Sequence, residues 1–242
     1  MARMSASRMV AALALGGMAW QPALADFTPW MPAESMVTYH AIHGWVSHSD
    51  STTSPAPRPM AAARPGPGAA QVPLRYVASP AVRQQVFADL IGRIRTKDPQ
   101  SAQAIQTAFA RYDYDKLYDG IAAPYGLSGN DAGNTISAYL ILGWLIANGQ
   151  QDVPGGRAAA FAVRAQIART LVGNPAAPRE KWAELGEDLK LQFLIAHSGW
   201  QTSLKENSAR QYSDSIARRF GQQFGIDLRS IALDGRGFTR RG

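Results

Sequence analysis

Cysteine is absent from this 242-residue chain. That excludes a disulfide scaffold, thiol catalysis, a Cys-ligated zinc or Fe–S site, and a lipid-modified N-terminal cysteine. Histidine is scarce, with four residues, and only His197 lies beyond the first fifty positions. Its neighbour Ser198 points about 100° away on a helix, so the two do not make a nucleophile–base pair. Long apolar runs are missing too. Beyond the first 25 residues the longest, Ala138–Ala147, falls well short of the roughly 20 residues that span a bilayer and reads as a buried helix. Also lacking are G-x-S-x-G, H-E-x-x-H, a P-loop and a G-x-G-x-x-G that opens a helix, the signatures of common hydrolases, zinc proteases and nucleotide binders.

What is present is an ordinary soluble composition, 46% hydrophobic and 18% charged, with 25 basic against 18 acidic residues for a net +7. This excludes a collagenous or wholly disordered chain. The basic excess is modest and spread along the chain, clustering only at Arg236, Arg240 and Arg241. It does not point to nucleic acid; attraction to an anionic envelope surface suits it better.

The first 25 residues read as a cleavable export signal. Arg3 and Arg8 form a basic start, Val10–Trp20 an apolar run, and Ala23-Leu-Ala25 a small-residue cleavage site. The arginines are not adjacent, so a twin-arginine route is not indicated. Cleavage after Ala25 lowers the net charge to +5, since Arg3 and Arg8 are lost and no acidic residue is. The expected location is the periplasm or the cell exterior. Residues 26–46 form a short aromatic arm, with Phe27, Trp30, Tyr39 and Trp45. Residues 47–73 are rich in Pro, Ala, Gly and Ser and read as a disordered linker.

Residues 74–242 read as a single all-α bundle of about seven helices. Ser79-Pro80 and Asp98-Pro99 pair an N-cap with proline at the first helical position. They open helices faced by Val82, Val86, Leu90 and Ile94, and by Ala102, Ile105, Phe109 and Tyr112. A short third helix runs from Tyr114 to Pro124-Tyr-Gly126, and Ser128 opens a fourth, apolar nearly all round and therefore central. In it, Gly143 and Ala147 would let a neighbour's backbone approach. A fifth, after Asp152 and Pro154, carries Phe161, Ala165, Ala168 and Val172; a sixth, after Pro178, carries Trp182, Leu189, Phe193 and Trp200. The seventh starts with a capping box, Ser208 and Gln211, and stops at a Schellman Gly225-Ile226. Residues 227–242 read as an irregular tail.

Tyr112-Asp-Tyr-Asp115, Pro124-Tyr-Gly-Leu127, Asn130-Asp131, Ala138-Tyr-Leu140, Gly143-Trp144 and the closing Gly237-Phe238 resemble a group of exported bacterial proteins classed as a domain of unknown function. The resemblance spans about residues 75–238. It implies an exported helical domain, and its aromatic and glycine-rich motifs carry no active site over.

Three polar features are candidate sites. Asp113, Asp115 and Asp119 crowd the third helix, where Asp115 and Asp119 share a face; two carboxylates can act as acid and base. Their spacing fails the calcium loop, whose twelfth position here is Pro124. The plainer reading has Asp113 capping the helix and Arg111 and Lys116 answering the acids. Glu180, Glu184, Glu187 and Asp188 open the sixth helix, while the fifth carries Arg157, Arg164 and Arg169, which suggests an ion-pair seam between the two. His40, His43 and His48 are weak metal candidates in the arm; no cofactor is expected. The sequence therefore favours a non-catalytic exported protein that binds an envelope partner through Trp30, Tyr39 and Trp45. The rival is a carboxylate-dependent glycan hydrolase in which an acid of the third helix pairs with Glu184 or Asp188.

Overall fold

The structure, a computed structural model, describes residues 74–173 and 181–241. The arm, the linker and the export signal, with Trp30, Tyr39, Trp45, His40, His43 and His48, lie outside the described residues, as do Pro178 and Glu180. Seven helices follow one another: α1 Pro80–Arg95, α2 Pro99–Arg111, α3 Tyr114–Ala122, α4 Ala132–Ala147, α5 Gly156–Gly173, α6 Trp182–Lys205 and α7 Ala209–Phe224. The all-α expectation holds.

Local signals account for the helix starts. Ser79 Oγ accepts from the Val82 amide, and Asp98 from the Ser101 amide, each ahead of a proline in the first turn. Asp113 caps α3 by accepting from the amides of Asp115 and Lys116. The Schellman stop of α7 forms, with Gly225 left-handed at φ 64° and the Ile226 amide reaching the Phe220 carbonyl. Two expected starts differ. The cap of α4 is Asp131, which accepts from the Asn134 amide, because the chain from Ser128 to Asn130 is used for a turn with Asn130 at φ 62°. Ser208 does precede α7 but makes no side-chain cap bond, so the capping box is not closed.

All sixteen residues of α4 are buried. It is the axis of the molecule, with α5, α6 and α7 packed around it. The close approach at Gly143 is made by a side chain and not by a backbone: a methyl group there would run into the Phe220 ring of α7. That ring also stacks on Tyr139, centroids 5.2 Å apart. A second, smaller core joins the α1–α2 hairpin to α6 through Leu90, Ile91, Ile94, Ala102, Ile105, Leu191 and Ile195.

The C-terminal tail is not irregular. Ile231–Asp234 (β1) and Gly237–Arg240 (β2) form an antiparallel hairpin, with Leu233 opposite Phe238. Alternation of buried residues on β1 and a left-handed Gly237 at φ 95° fit a two-residue turn at Gly235-Arg236. The hairpin docks because the Trp144 indole donates to the Ile231 carbonyl at 2.9 Å and Gln166 of α5 both donates to and accepts from the Phe238 backbone. At the other end, Leu74 is fully buried and its carbonyl accepts from the Ala132 amide, while the Tyr76 amide donates to Asn130. Tyr76 is thereby placed beside α6.

Candidate functional site

The α3 and α6 helices do face each other, and α1 closes the third side. At their junction lies a compact ionic network. Lys190 Nζ donates to Glu187 Oε1 and to Asp115 Oδ1, both at 2.6 Å. Arg83 of α1 pairs with Asp115 Oδ2 at 2.5 Å and lies 3.8 Å from Glu187 Oε2. Two phenols complete it: Tyr114 donates to Glu187 Oε2 at 2.6 Å and Tyr76 to Oε1 at 3.1 Å. Glu187 and Lys190 are both 0% exposed. The Tyr76 ring also lies under the ammonium, 5.6 Å from centroid to nitrogen.

Two cations meet two carboxylates here, so the network is neutral, which is the condition for burying charge at tolerable cost. Both phenols are pushed far above the usual range, first by burial and then by the Glu187 carboxylate. They remain protonated donors at any physiological pH. Tyr76 can reach Glu187 because Gly186 offers no Cβ; a methyl group there would occupy the phenol's place.

The remaining candidates are engaged individually. Asp188 accepts from Arg93 Nη2 at 2.6 Å and from Gln192 Nε2 at 2.5 Å. Asp119 accepts from the Gly129 amide at 2.7 Å, Asp113 is the cap of α3, and Glu184 pairs with Lys181 three residues away. Of the expected seam between the fifth and sixth helices, Glu180 lies outside the described residues, and the described acids Glu184, Glu187 and Asp188 are engaged as given above. Arg164 pairs with Asp131, the cap of α4, at 2.9 Å, and Arg157 covers the Phe161 ring on its own helix.

Proximity of carboxylates across α3 and α6 is thus realised, but by Asp115 and Glu187. Neither Glu184 nor Asp188 takes part. Two oxygens that each lie 2.6 Å from one nitrogen are within roughly 5 Å of each other, the separation used by retaining glycosidases. Here, however, the Lys190 ammonium fills the space between them where a glycosidic bond would have to enter. The sequence pattern singles out no role for Lys190, and it places Glu187 with Glu180, Glu184 and Asp188 in an ion-pair seam with the fifth helix. The available signal was a lysine flanked by Leu189 and Leu191 on an apolar face, three residues after a glutamate.

His197 stacks parallel to Phe193, ring centroids 6.2 Å apart, and burial lowers its pKa. Among the described residues, no group of three or more His, Asp or Glu side chains is placed to hold a metal ion, and no helix is long and apolar enough to cross a membrane. Set against known family models, curated protein sequences and solved structures, the chain matches none. The resemblance carried by Tyr112–Asp115 and Gly237-Phe238 therefore gains no family from these comparisons, and the motif residues have local roles instead: Asp113 caps, Asp115 joins the network, and Phe238 docks the hairpin.

Proposed function

We propose that this chain is an exported, non-catalytic helical protein that binds a partner or ligand in the cell envelope, in the periplasm or outside the cell. The observation that carries the reading is the engagement of the acids. Asp113, Asp115, Asp119, Glu184, Glu187 and Asp188 each have an intramolecular cation, amide or hydroxyl partner, and the one close pair is locked by a buried ammonium. Such a network stabilises and positions helices and offers a substrate no poised acid or base. The export signal at residues 1–25 and the linker at 47–73 support a role as a tethered domain with an aromatic docking arm.

Affinity capture tests this directly. The processed chain, immobilised and exposed to envelope extract, is expected to retain a partner, and Trp30→Ala with Trp45→Ala is expected to lose most of it. Unchanged capture by the double variant would remove the arm from the reading. Incubation with cell-wall glycan is expected to release no reducing ends; release abolished by Glu187→Gln in a chain that still folds would favour the hydrolase instead.

A further inference from the structure

The start of α7 carries a feature that neither the ionic network nor the aromatic arm uses. An open groove of about 510 Å³ is lined by Asn207, Ser208, Arg210, Gln211, Asp214 and Arg218. Arg210 and Arg218 are both exposed. They stand eight residues apart on one helix, about 12 Å along its axis, with Asp214 midway between them. Beside the groove, Arg229 clasps Asp214 at 2.5 Å and donates to the Ala147 carbonyl at the end of α4. Arg241 follows, donating to the Asn148 side chain and held by its own amide to the Ser230 carbonyl. Among the residues that line the groove, Arg210 and Arg218 are the cations and Asp214 the acid, and Asp214 is itself answered by Arg229.

We propose that this groove binds the phosphate groups of an anionic polymer chain in the envelope. The proposal deepens the binding reading above and rests on it for the compartment. Both lining cations are arginines, whose planar fork matches phosphate oxygens two at a time. Asn207, Ser208 and Gln211 add neutral donors to the same walls. Asp214, answered by Arg229, repels an anion from the midpoint, so the two outer arginines engage separate phosphates, which a chain supplies and a single ion does not. A bilayer fits less well: the large apolar side chains exposed among the described residues, Val77, Tyr112 and Phe161, lie elsewhere on the chain and leave no wedge here.

The probe is long-chain inorganic polyphosphate, titrated into the processed full chain over a range of salt concentrations. The expected result is saturable binding that Arg210→Gln with Arg218→Gln weakens at least tenfold, with the log–log salt slope reduced by about 1.5. The melting temperature of the variant, taken alongside, shows that it still folds. Arg95→Gln with Arg111→Gln removes the same charge from α1 and α2 and is expected to leave binding unchanged. Equal loss in both pairs, equal binding of polygalacturonate, or preference for phosphatidylglycerol vesicles would each overturn the proposal, as would absence of binding. Envelope capture that succeeds while polyphosphate fails sinks this groove alone and leaves the arm's reading intact.

Discussion

Lys190 is the residue on which most depends. Its ammonium is fully buried and bonded to two carboxylates from different helices. Removing one partner of such a pair strands a buried charge, whereas removing both can be nearly neutral. Lys190→Met is therefore expected to lower stability by about 3–5 kcal/mol, measured by urea unfolding. Adding Glu187→Gln to it should recover a large part of the loss, because the stranded carboxylate disappears. A double variant no more stable than the single would show that packing and not charge dominates the site. His197 sets a second expectation. Burial lowers its pKa in the folded chain, so the folded state binds fewer protons than the unfolded one, where histidine titrates near 6.5. Stability from this group is full above that value and falls as the pH drops through it. The melting temperature should decline from pH 7.5 to pH 5, and His197→Leu should flatten that part of the profile.

At the scale of elements, helical glycines act as seats for rings. Gly143 receives Phe220, Gly186 receives Tyr76 and Gly199 receives Tyr212. In each case a helix position that costs propensity, roughly 1 kcal/mol relative to alanine, is repaid by aromatic packing. Gly143→Ala raises intrinsic helix propensity and yet is expected to destabilise by about 1–3 kcal/mol, because Phe220 is buried, stacked on Tyr139 and in tilted contact with Phe224, and has little room to move. A gain in stability would mean that α7 simply slides outward. The hairpin is the element that pattern reading passed over. Ile231, Leu233 and Phe238 alternate as a strand pair should, but each strand is four residues long and is held by its place in the bundle: these three side chains are buried in the core, and Trp144 and Gln166 bond its backbone. Short elements stabilised by docking are not legible in local sequence, whereas the long amphipathic helices with proline-marked starts were.

For the whole molecule, class and helix order could be read because caps and apolar spacing agree along the chain. The buried ionic network could not, since pairing Arg83 of α1 with Asp115 of α3 and Glu187 of α6 depends on how three helices meet. Composition gives the charges and the spacing gives their faces, but only packing decides which carboxylate turns inward. That is also why Asp188, an expected partner of the third helix, instead holds Arg93 of α1. The proposed export is tested at this scale as well. Mass spectrometry of the protein recovered from an exporting host is expected to find a chain beginning at Asp26, and an intact Met1 would refute the cleavage site.

The way the chain enters the domain decides where a mechanical load goes. Leu74 and Tyr76 are tied by their backbones to Ala132 and Asn130, at the head of α4, before the chain reaches α1. A pull arriving from residues before Leu74 is thus taken up by the helix buried on every side, and α1, with its small separate core, is shielded from it. Such a pull meets the Leu74–Ala132 bond first, and Tyr76 with its hold on Glu187 only after it.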